Sequence, residues 1–154
     1  MNNHRSLVQF CAKECSLQKS GELSVYNMYF AYMHVFEWRY EPFITVQDIL
    51  NIGKMVEPEK NKNEFRKTPV VFRGAGQPAA DASIIEESLE RLCKVEGIRP
   101  EEFYRAFETI HPFVDGNGRV GAILYNFING SMENPVLPPD FWKQDTKFRQ
   151  ESDK

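Results

Sequence analysis

The stretch IHPFVDGNGRVGAILYN, residues 110–126, places a histidine, an acidic residue, two glycines, an asparagine and an arginine within nine positions, immediately before an apolar run at helical spacing. A glycine-rich loop that opens directly into a helix can direct several backbone N–H groups at an anion, and the helix dipole adds about half a positive charge there. Gly116, Asn117 and Gly118 would form this loop, and Arg119 would add a guanidinium fork. The stretch therefore predicts a phosphate-binding loop that joins two helices.

Two further side chains of the same stretch suit reactions at a phosphate. Asp115 would lie at the edge of the loop, and one carboxylate together with substrate phosphate oxygens is a common way to hold Mg²⁺. His111, with an ordinary pKa of about 6.5, is the side chain best suited to take a proton from a hydroxyl at neutral pH. The stretch lacks the Lys-Ser/Thr pair of a P-loop, and no strand precedes it as a dinucleotide fingerprint requires. It therefore combines a candidate base, a candidate metal ligand and a candidate anion site.

Both segments that flank the loop have helical periodicity. Phe103, Phe107 and Ile110 share one face of the helix predicted before the loop. After the loop, apolar residues recur at helical spacing over 120–128, and Gly130 is a natural left-handed terminator. The loop is thus expected between two core helices.

The N-terminal part of the chain also favours helices. Residues 6–17 are predicted to form a short helix, and residues 24–38, which are apolar nearly all round, a central helix buried on most of its faces. The sequence TVQD predicts a capping box between Thr45 and Asp48 and a helix over 46–55. The following aromatic residues are expected in the core: Tyr26, Tyr29, Phe30, Tyr32, Phe36 and Trp38.

Three different patterns lie between residues 57 and 97. EPEKNKNEF, residues 57–65, is charge-rich and predicts a solvated loop. TPVVFRGAG, residues 68–76, is a β-branched run bounded by turn residues and predicts the only strand or hairpin of the chain. Residues 81–96 predict a helix that begins with a capping box of Ser83 and Glu86. The expected fold class is therefore all-α with one small β-hairpin.

Composition restricts the class of protein further. A chain of 154 residues with 42% hydrophobic and 27% charged residues is typical of one soluble globular domain. We expect a single domain over 1–154, with a core of about 24–130 and a C-terminal tail, 131–154, that is partly flexible after Trp142. The formal charge of −3 comes without a basic tract, which argues against nucleic-acid binding.

The cysteines and the apolar runs bear on location. Cys11, Cys15 and Cys93 form an odd set without CxxC pairs, which argues against a disulfide framework and a structural zinc site. The N-terminus lacks the apolar core of a signal peptide, and no run approaches the roughly 20 apolar residues of a membrane span. We expect a cytoplasmic protein that does not bind a membrane.

The segment HPFVDGNGR, residues 111–119, resembles the signature of the Fic family, His-x-Phe-x-Asp/Glu-Gly-Asn-Gly-Arg-x-x-Arg. Every fixed position up to Arg119 matches, and the order of segments from 45 to 130 is also similar to the family core. This resemblance implies an all-α domain with one small β-hairpin, the flap. It also implies an enzyme that transfers AMP from ATP to a Ser, Thr or Tyr hydroxyl of a target protein.

The resemblance assigns a role to each matching residue. His111 would be the base for the target hydroxyl, and Asp115 would bind Mg²⁺. The phosphates of ATP would lie on the loop residues Gly116, Asn117, Gly118 and Arg119. The flap would be residues 69–76, and a target segment would align beside it by main-chain hydrogen bonds. The flap residues expected to contact the target are Val70, Val71, Phe72 and Arg73.

One position departs from the signature, since Ala122 stands where the last arginine is expected. Loss of a charge-assisted phosphate contact costs roughly 1.5–3 kcal/mol, which would weaken nucleotide handling by about ten- to a hundredfold. Three outcomes stay open: a slow transferase, a changed nucleotide, or a substitute arginine such as Arg73 or Arg105. The alternatives in function are a nucleotide-binding protein with little or no catalysis, and a toxin controlled by a separate antitoxin.

Regulation and chemistry can also be compared with the family. Its inhibitory motif, Ser/Thr-x-x-x-Glu-Gly/Asn, has no strict match, because Ser83 and Glu87 have the spacing but Ser88 follows. We therefore expect no self-inhibition by that device. Members that resemble the Doc toxin and phosphorylate their target carry Lys where this chain has Gly118, so nucleotidyl transfer is favoured. Whether the chain forms a homo-oligomer is left open.

Overall fold

The computed structural model describes residues 4–17, 22–69, 71–72, 77–78 and 80–140, and the statements below concern these residues. The helices are α1 (His4–Leu17), α2 (Glu22–Phe36), α3 (Val46–Val56), α4 (Pro58–Asn61), α5 (Ile85–Cys93), α6 (Pro100–Ile110) and α7 (Asn117–Asn129). A 3₁₀ turn, Ala82–Ile84, precedes α5. The predicted all-α class is confirmed. In the described ranges, no helix has the length and apolar character needed to cross a membrane.

Helix α7 is the centre of the bundle. It packs against α1, α2, α3 and α6, and most of its residues between Asn117 and Phe127 are buried. The helix begins directly after the loop 111–116 and ends at Gly130, whose φ of +71° gives the predicted left-handed terminator. The loop is therefore fixed at the N-terminal end of the most enclosed helix.

The prediction of α2 as the central, mostly buried helix is wrong. Tyr32 and Phe36 are buried, but Leu23, Tyr26 and Phe30 are 61–70% exposed along the opposite face. An all-round apolar sequence predicts burial only if other elements cover every face, and here α1, α3 and α7 leave one side uncovered by the described residues. The expectation of a core position for Tyr26 and Phe30 is corrected accordingly.

Local signals predicted the start of α3 correctly and that of α5 incorrectly. Thr45 Oγ1 accepts a hydrogen bond from the Asp48 N–H at 3.1 Å, and Asp48 Oδ2 accepts one from the Thr45 N–H at 2.9 Å. Before α5, Asp81 rather than Ser83 caps the chain, since its carboxylate accepts hydrogen bonds from the Ser83 N–H and hydroxyl. The chain therefore turns earlier than predicted, and Ile84 lies 44% exposed.

The segment 57–65 is largely exposed, as its charges predicted, but part of it is helical and not a loop. It forms the short helix α4, and Asn61, at its end, is 1% exposed. Lys62 follows in the left-handed conformation at φ +50° and ends the helix. Two of its polar residues, Glu57 and Asn61, contact the loop 111–116 and the start of α7.

Two-residue strands occupy the region predicted for the hairpin. β1 (Val71–Phe72) and β2 (Gln77–Pro78) pair antiparallel, with Val71 opposite Pro78 and Phe72 opposite Gln77. The intervening residues 73–76, with Arg73, lie outside the described residues, as does Val70. The tail predicted to be flexible after Trp142 also lies outside them.

Candidate active site

His111 ends α6 and begins the loop. Its φ of +51° and ψ of +63° are left-handed values that non-glycine residues seldom adopt, and its N–H donates to the Phe107 carbonyl at 2.9 Å. Such a conformation persists only where the surroundings enforce it. Pro112 follows at once, so the chain cannot continue as a helix.

The guanidinium of Arg66 donates hydrogen bonds to this turn. Its Nε donates to the His111 carbonyl at 2.6 Å, and its Nη2 donates to the Ile110 carbonyl at 3.1 Å. It also donates to the carbonyls of Thr68, at 2.9 Å, and Ala80. Arg66 is 2% exposed. Sequence reasoning missed it, because a lone arginine in a charged segment gives no signal that its side chain is buried.

Asn117 closes the loop from the other side. Its Oδ1 accepts a hydrogen bond from the Phe113 N–H at 2.8 Å, and its Nδ2 donates to the Phe113 carbonyl at 2.8 Å. Phe113 is fully buried, and its ring lies so close to Gly53 that a Cβ there would approach the ring to 2.2 Å. The Asn117 side chain therefore shapes the loop, while its backbone N–H belongs to the first turn of α7.

The start of α7 has the backbone features of an anion site. The first intrahelical bond runs from the Val120 N–H to the Gly116 carbonyl at 2.9 Å, so the N–H groups of residues 117–119 precede the helical ladder. Gly116 has a φ of +80°, and a Cβ there would lie 2.9 Å from Val56 Cγ1. Glycine is required at this position by both conformation and space.

Asp115 is held by residues of α4. Its Oδ2 accepts a hydrogen bond from Lys60 Nζ at 2.9 Å, and its Oδ1 accepts one from the Gly116 N–H at 2.8 Å. Asn61 donates to the Asp115 carbonyl at 3.0 Å and accepts from the Asp115 N–H at 3.2 Å. Burial alone would raise the pKa of Asp115, but Lys60, the Gly116 N–H and the charge of Arg119 hold it below its ordinary value. The carboxylate is thus charged and fixed.

Arg119 lies beneath the loop and not in open solvent. It is 1% exposed, and its Nη1 donates to Glu57 Oε1 at 3.1 Å. Its Nη2 lies 3.6 Å from Asp115 Oδ1. The guanidinium that was predicted to bind phosphate oxygens therefore lies next to two carboxylates, those of Glu57 and Asp115. Glu57 is a second residue that sequence reasoning missed, because its charge-rich segment predicted exposure.

His111 is partly exposed as a residue, although the Nδ1 atom of its imidazole is buried. Burial is the largest influence on its pKa and lowers it. The backbone of Glu108 and the charge of Asp115 raise the pKa, while the charge of Arg66 lowers it, and the net value is below the ordinary one. The lowered pKa favours the neutral imidazole, which is the form that can accept a proton.

Ala122, the departure from the signature, is fully buried in α7. Of the two arginines considered as substitutes, Arg105 is exposed on α6 and Arg73 lies outside the described residues. Next to Ala122, Gly121 packs against the carboxylate of Glu108, which a Cβ at 121 would approach to 2.5 Å. Burial, and the nearby charge of Glu14, raise the pKa of Glu108 to about 8.

A cavity of about 800 Å³ lies at the opposite end of α7 from the loop. It is lined by Phe127 and Ile128 of α7, by Phe43 and Phe103, and by Cys93. Burial, and the charge of Asp48, raise the pKa of the Cys93 thiol to about 11, so it is not a nucleophile at neutral pH. Cys93 therefore gives this cavity no thiolate at neutral pH.

The loop and helices match a known family. Residues 43–128, more than half of the chain, match the Fic/DOC family, and the chain belongs to it. It is similar to a probable protein adenylyltransferase of Aquifex aeolicus (strain VF5), at 35% identity over 83 residues, which covers 47% of this chain and 25% of that protein.

A solved structure has a similar fold. Fic-1 (aa134–508) from C. elegans matches with a TM-score of 0.55 and 21% identity, over 75% of this chain and 39% of that one. This similarity concerns the fold alone. The chain thus matches about a quarter of the curated relative and about two fifths of the solved chain.

Proposed function

We propose that this chain is a protein adenylyltransferase that transfers AMP from ATP to a Ser, Thr or Tyr hydroxyl of a target protein. The observation that carries the proposal is the loop 111–119, which joins the imidazole of the partly exposed His111, whose pKa is lowered, and a fixed carboxylate to the opening of α7. Membership of the Fic/DOC family and the name of the curated relative support the same chemistry.

The positions of these groups support the following reaction. The neutral imidazole of His111 takes the proton of the target hydroxyl, and the oxygen forms a bond to the α-phosphorus of ATP. The bond between the α-phosphorus and the bridging oxygen breaks, and pyrophosphate leaves. Backbone N–H groups of residues 117–119, with the dipole of α7, stabilise the negative charge on the phosphates.

The donor set near the loop fits Mg²⁺ delivered with the nucleotide. In the described part of the chain, no three His, Cys, Asp or Glu residues are grouped to hold a metal by themselves, whereas Mg²⁺ needs only one carboxylate besides phosphates and water. Asp115 would be that ligand, and its lowered pKa keeps it charged. When bound, Mg²⁺ neutralises phosphate charge. Lys60 would have to release Asp115 Oδ2 to admit it.

The pair β1–β2 would align the target. An extended target segment can add main-chain hydrogen bonds along a short strand, and β1 lies between Thr68 and Ala80, both of which are tied to the end of α6 through Arg66. The assignment of Val70, Val71, Phe72 and Arg73 to target binding belongs to this proposal. So does a cytoplasmic location, which the free thiols of Cys11, Cys15 and Cys93 favour.

A second candidate is a nucleotide-binding protein with little turnover. Ala122 removes one cation of the signature, and Glu57 engages the other, Arg119. In this case the chain would bind a nucleoside triphosphate without transferring any part of it.

Labelled ATP distinguishes these candidates. The chain is incubated with Mg²⁺, cell lysate and ATP labelled at either the α- or the γ-phosphate. Adenylylation gives protein bands, or self-labelling, with the α-label only, and both His111→Ala and chelation of the metal abolish it. Equal labelling by His111→Ala would defeat the proposal. Tight nucleotide binding by calorimetry without any labelling, for all four nucleoside triphosphates, would favour the second candidate.

A further inference from the structure

We propose that Arg66 is a positioning residue that fixes the base His111 and the β1–β2 pair in one arrangement, so that the target hydroxyl is delivered to the imidazole. This inference rests on the proposed adenylyltransferase function. Within the described residues, the side-chain hydrogen bonds of Arg66 go to backbone carbonyls, including that of His111, and not to the first turn of α7, so it acts through the backbone.

The acceptors of Arg66 fall into two groups. Ile110 and His111 form the end of α6, where the chain takes its left-handed turn. Thr68 precedes β1 and Ala80 follows β2. One guanidinium therefore ties the base of the hairpin to the residue that carries the imidazole.

Backbone hydrogen bonds join the same two groups. The Arg66 N–H donates to the Pro112 carbonyl at 2.9 Å, and the Ala80 N–H donates to the Thr109 carbonyl at 3.3 Å. These bonds connect the end of α6 to one residue before the hairpin and one residue after it. Arg66 lies between them and uses all three of its nitrogens as donors.

Because Arg66 is buried, its N–H groups need hydrogen-bond acceptors at fixed positions within the protein. Within the described residues no carboxylate forms an ion pair with Arg66 within 4.0 Å, although the charge of Asp81 acts on it, and backbone carbonyls accept its hydrogen bonds. A planar fork with fixed N–H directions can satisfy carbonyls on several sides at once, which a lysine ammonium on a flexible stem cannot. Substitution by lysine therefore keeps the charge but loses part of the geometry.

The charge of Arg66 also acts on His111. It lowers the pKa of the imidazole, together with burial, whereas Asp115 and the backbone of Glu108 raise it. Replacement of Arg66 by a neutral residue should therefore raise the pKa of His111, and replacement by lysine should change it less. This difference separates the electrostatic effect of Arg66 from its geometric effect.

The test compares Arg66→Met and Arg66→Lys with wild type and with Tyr32→Phe. Tyr32 donates to the Met132 carbonyl at 2.6 Å and is buried away from the loop, so Tyr32→Phe reports a loss of stability alone. Initial rates of labelling from α-labelled ATP are measured against ATP concentration and, separately, against a dilution series of lysate protein, below the unfolding temperature of each variant. Imidazole pKa values are measured by NMR.

For Arg66→Met we expect the maximal labelling rate to fall by about ten- to a hundredfold and the half-saturating lysate concentration to rise, since small misplacements of reacting groups cost rates of this size. The half-saturating ATP concentration should stay at the wild-type value, because Arg66 does not contact the start of α7. Arg66→Lys should also lower the maximal rate and raise the half-saturating lysate concentration at an unchanged half-saturating ATP concentration, to a smaller degree and with little change in the His111 pKa.

Two results would overturn the inference. One is a loss of rate in Arg66→Met no greater than in Tyr32→Phe. The other is a change confined to the ATP dependence. If Arg66→Met does not fold, Arg66→Lys is used instead, with the same comparison between the lysate dependence and the ATP dependence of the labelling rate. Failure of the proposed function is seen separately, because wild type would then label nothing while hydrogen exchange at the Ala80 and His111 amides and the His111 titration still report whether Arg66 holds the two groups together.

Discussion

The ion pair between Glu57 and Arg119 offers the sharpest test of how the loop is supported. Arg119 has a side chain 2% exposed, that of Glu57 is 15% exposed, and 3.1 Å separates Nη1 from Oε1. In Glu57→Gln the amide oxygen can still accept the hydrogen bond, but the negative charge is lost. Asp115 Oδ1, at 3.6 Å from Nη2, then becomes the main counter-charge for the guanidinium.

The loss in the free energy of unfolding that Glu57→Gln causes can be estimated within limits. Removal of one partner of a buried pair costs about 3–5 kcal/mol, and a hydrogen bond to a charged group contributes about 1.5–3 kcal/mol. Because Glu57 is partly solvated and Asp115 shares the charge, we expect a loss of about 2 kcal/mol in the free energy of unfolding. For a chain of this size that corresponds to a fall of about 4–8 °C in Tm.

Urea unfolding followed by far-UV circular dichroism measures this loss, in a double-mutant cycle with Arg119→Met. The double variant should be more stable than the sum of the two single losses predicts, by about 1 kcal/mol or more, because each single change removes the main counter-charge of the group that remains. The exposed pair of Glu87 and Arg91 provides the matched control, and Glu87→Gln should leave the unfolding curve unchanged. Wild-type stability in Glu57→Gln, or strictly additive losses, would refute the reasoning.

Three further predictions concern other residues. Glu108→Gln should raise Tm by an amount that grows between about pH 5 and about pH 8. Burial, and then the charge of Glu14, raise the pKa of Glu108 to about 8, so the folded protein keeps a proton that the unfolded chain gives up near pH 4.5, and the stability from this proton is complete at low pH and lost as pH rises through 8. Thermal melts in which the Tm difference stays constant with pH would contradict this prediction. Gly116→Ala should lower the free energy of unfolding by about 1–2 kcal/mol and weaken ATP binding in calorimetry, because φ is +80° and the new Cβ would lie 2.9 Å from Val56 Cγ1; unchanged ATP affinity would exclude this loop from the nucleotide site. Glu87→Gly should leave self-labelling at the wild-type rate, since Glu87 pairs with Arg91 on the surface of α5; a strong increase would identify Glu87 as inhibitory.

The sequence was sufficient for features that depend on local or periodic patterns. The apolar faces around Phe103, Phe107 and Ile123 predicted α6 and α7, because a helical period identifies a buried face without reference to a partner. The capping box of Thr45 and Asp48 was predicted because it is complete within four residues.

Features that depend on distant partners were missed. Glu57, Asn61 and Arg66 lie in a charged segment that favours exposure, yet each meets the loop 111–119 across 45–62 positions of sequence. Burial of a polar side chain requires a specific acceptor or counter-ion, and no periodic pattern shows which of several charged residues has one. The exposed side of α2 has a similar cause, because the number of neighbours that cover a helix is not recorded in its own sequence.

The most direct test of the account is a structure of the His111→Ala variant with ATP and Mg²⁺, in which turnover is blocked. The account predicts triphosphate oxygens against the N–H groups of residues 117–119, Mg²⁺ on Asp115, and an α-phosphorus that faces the position of the missing imidazole. Phosphates bound away from α7's first turn, or an α-phosphorus turned from residue 111 towards the opposite side of the loop, would contradict it.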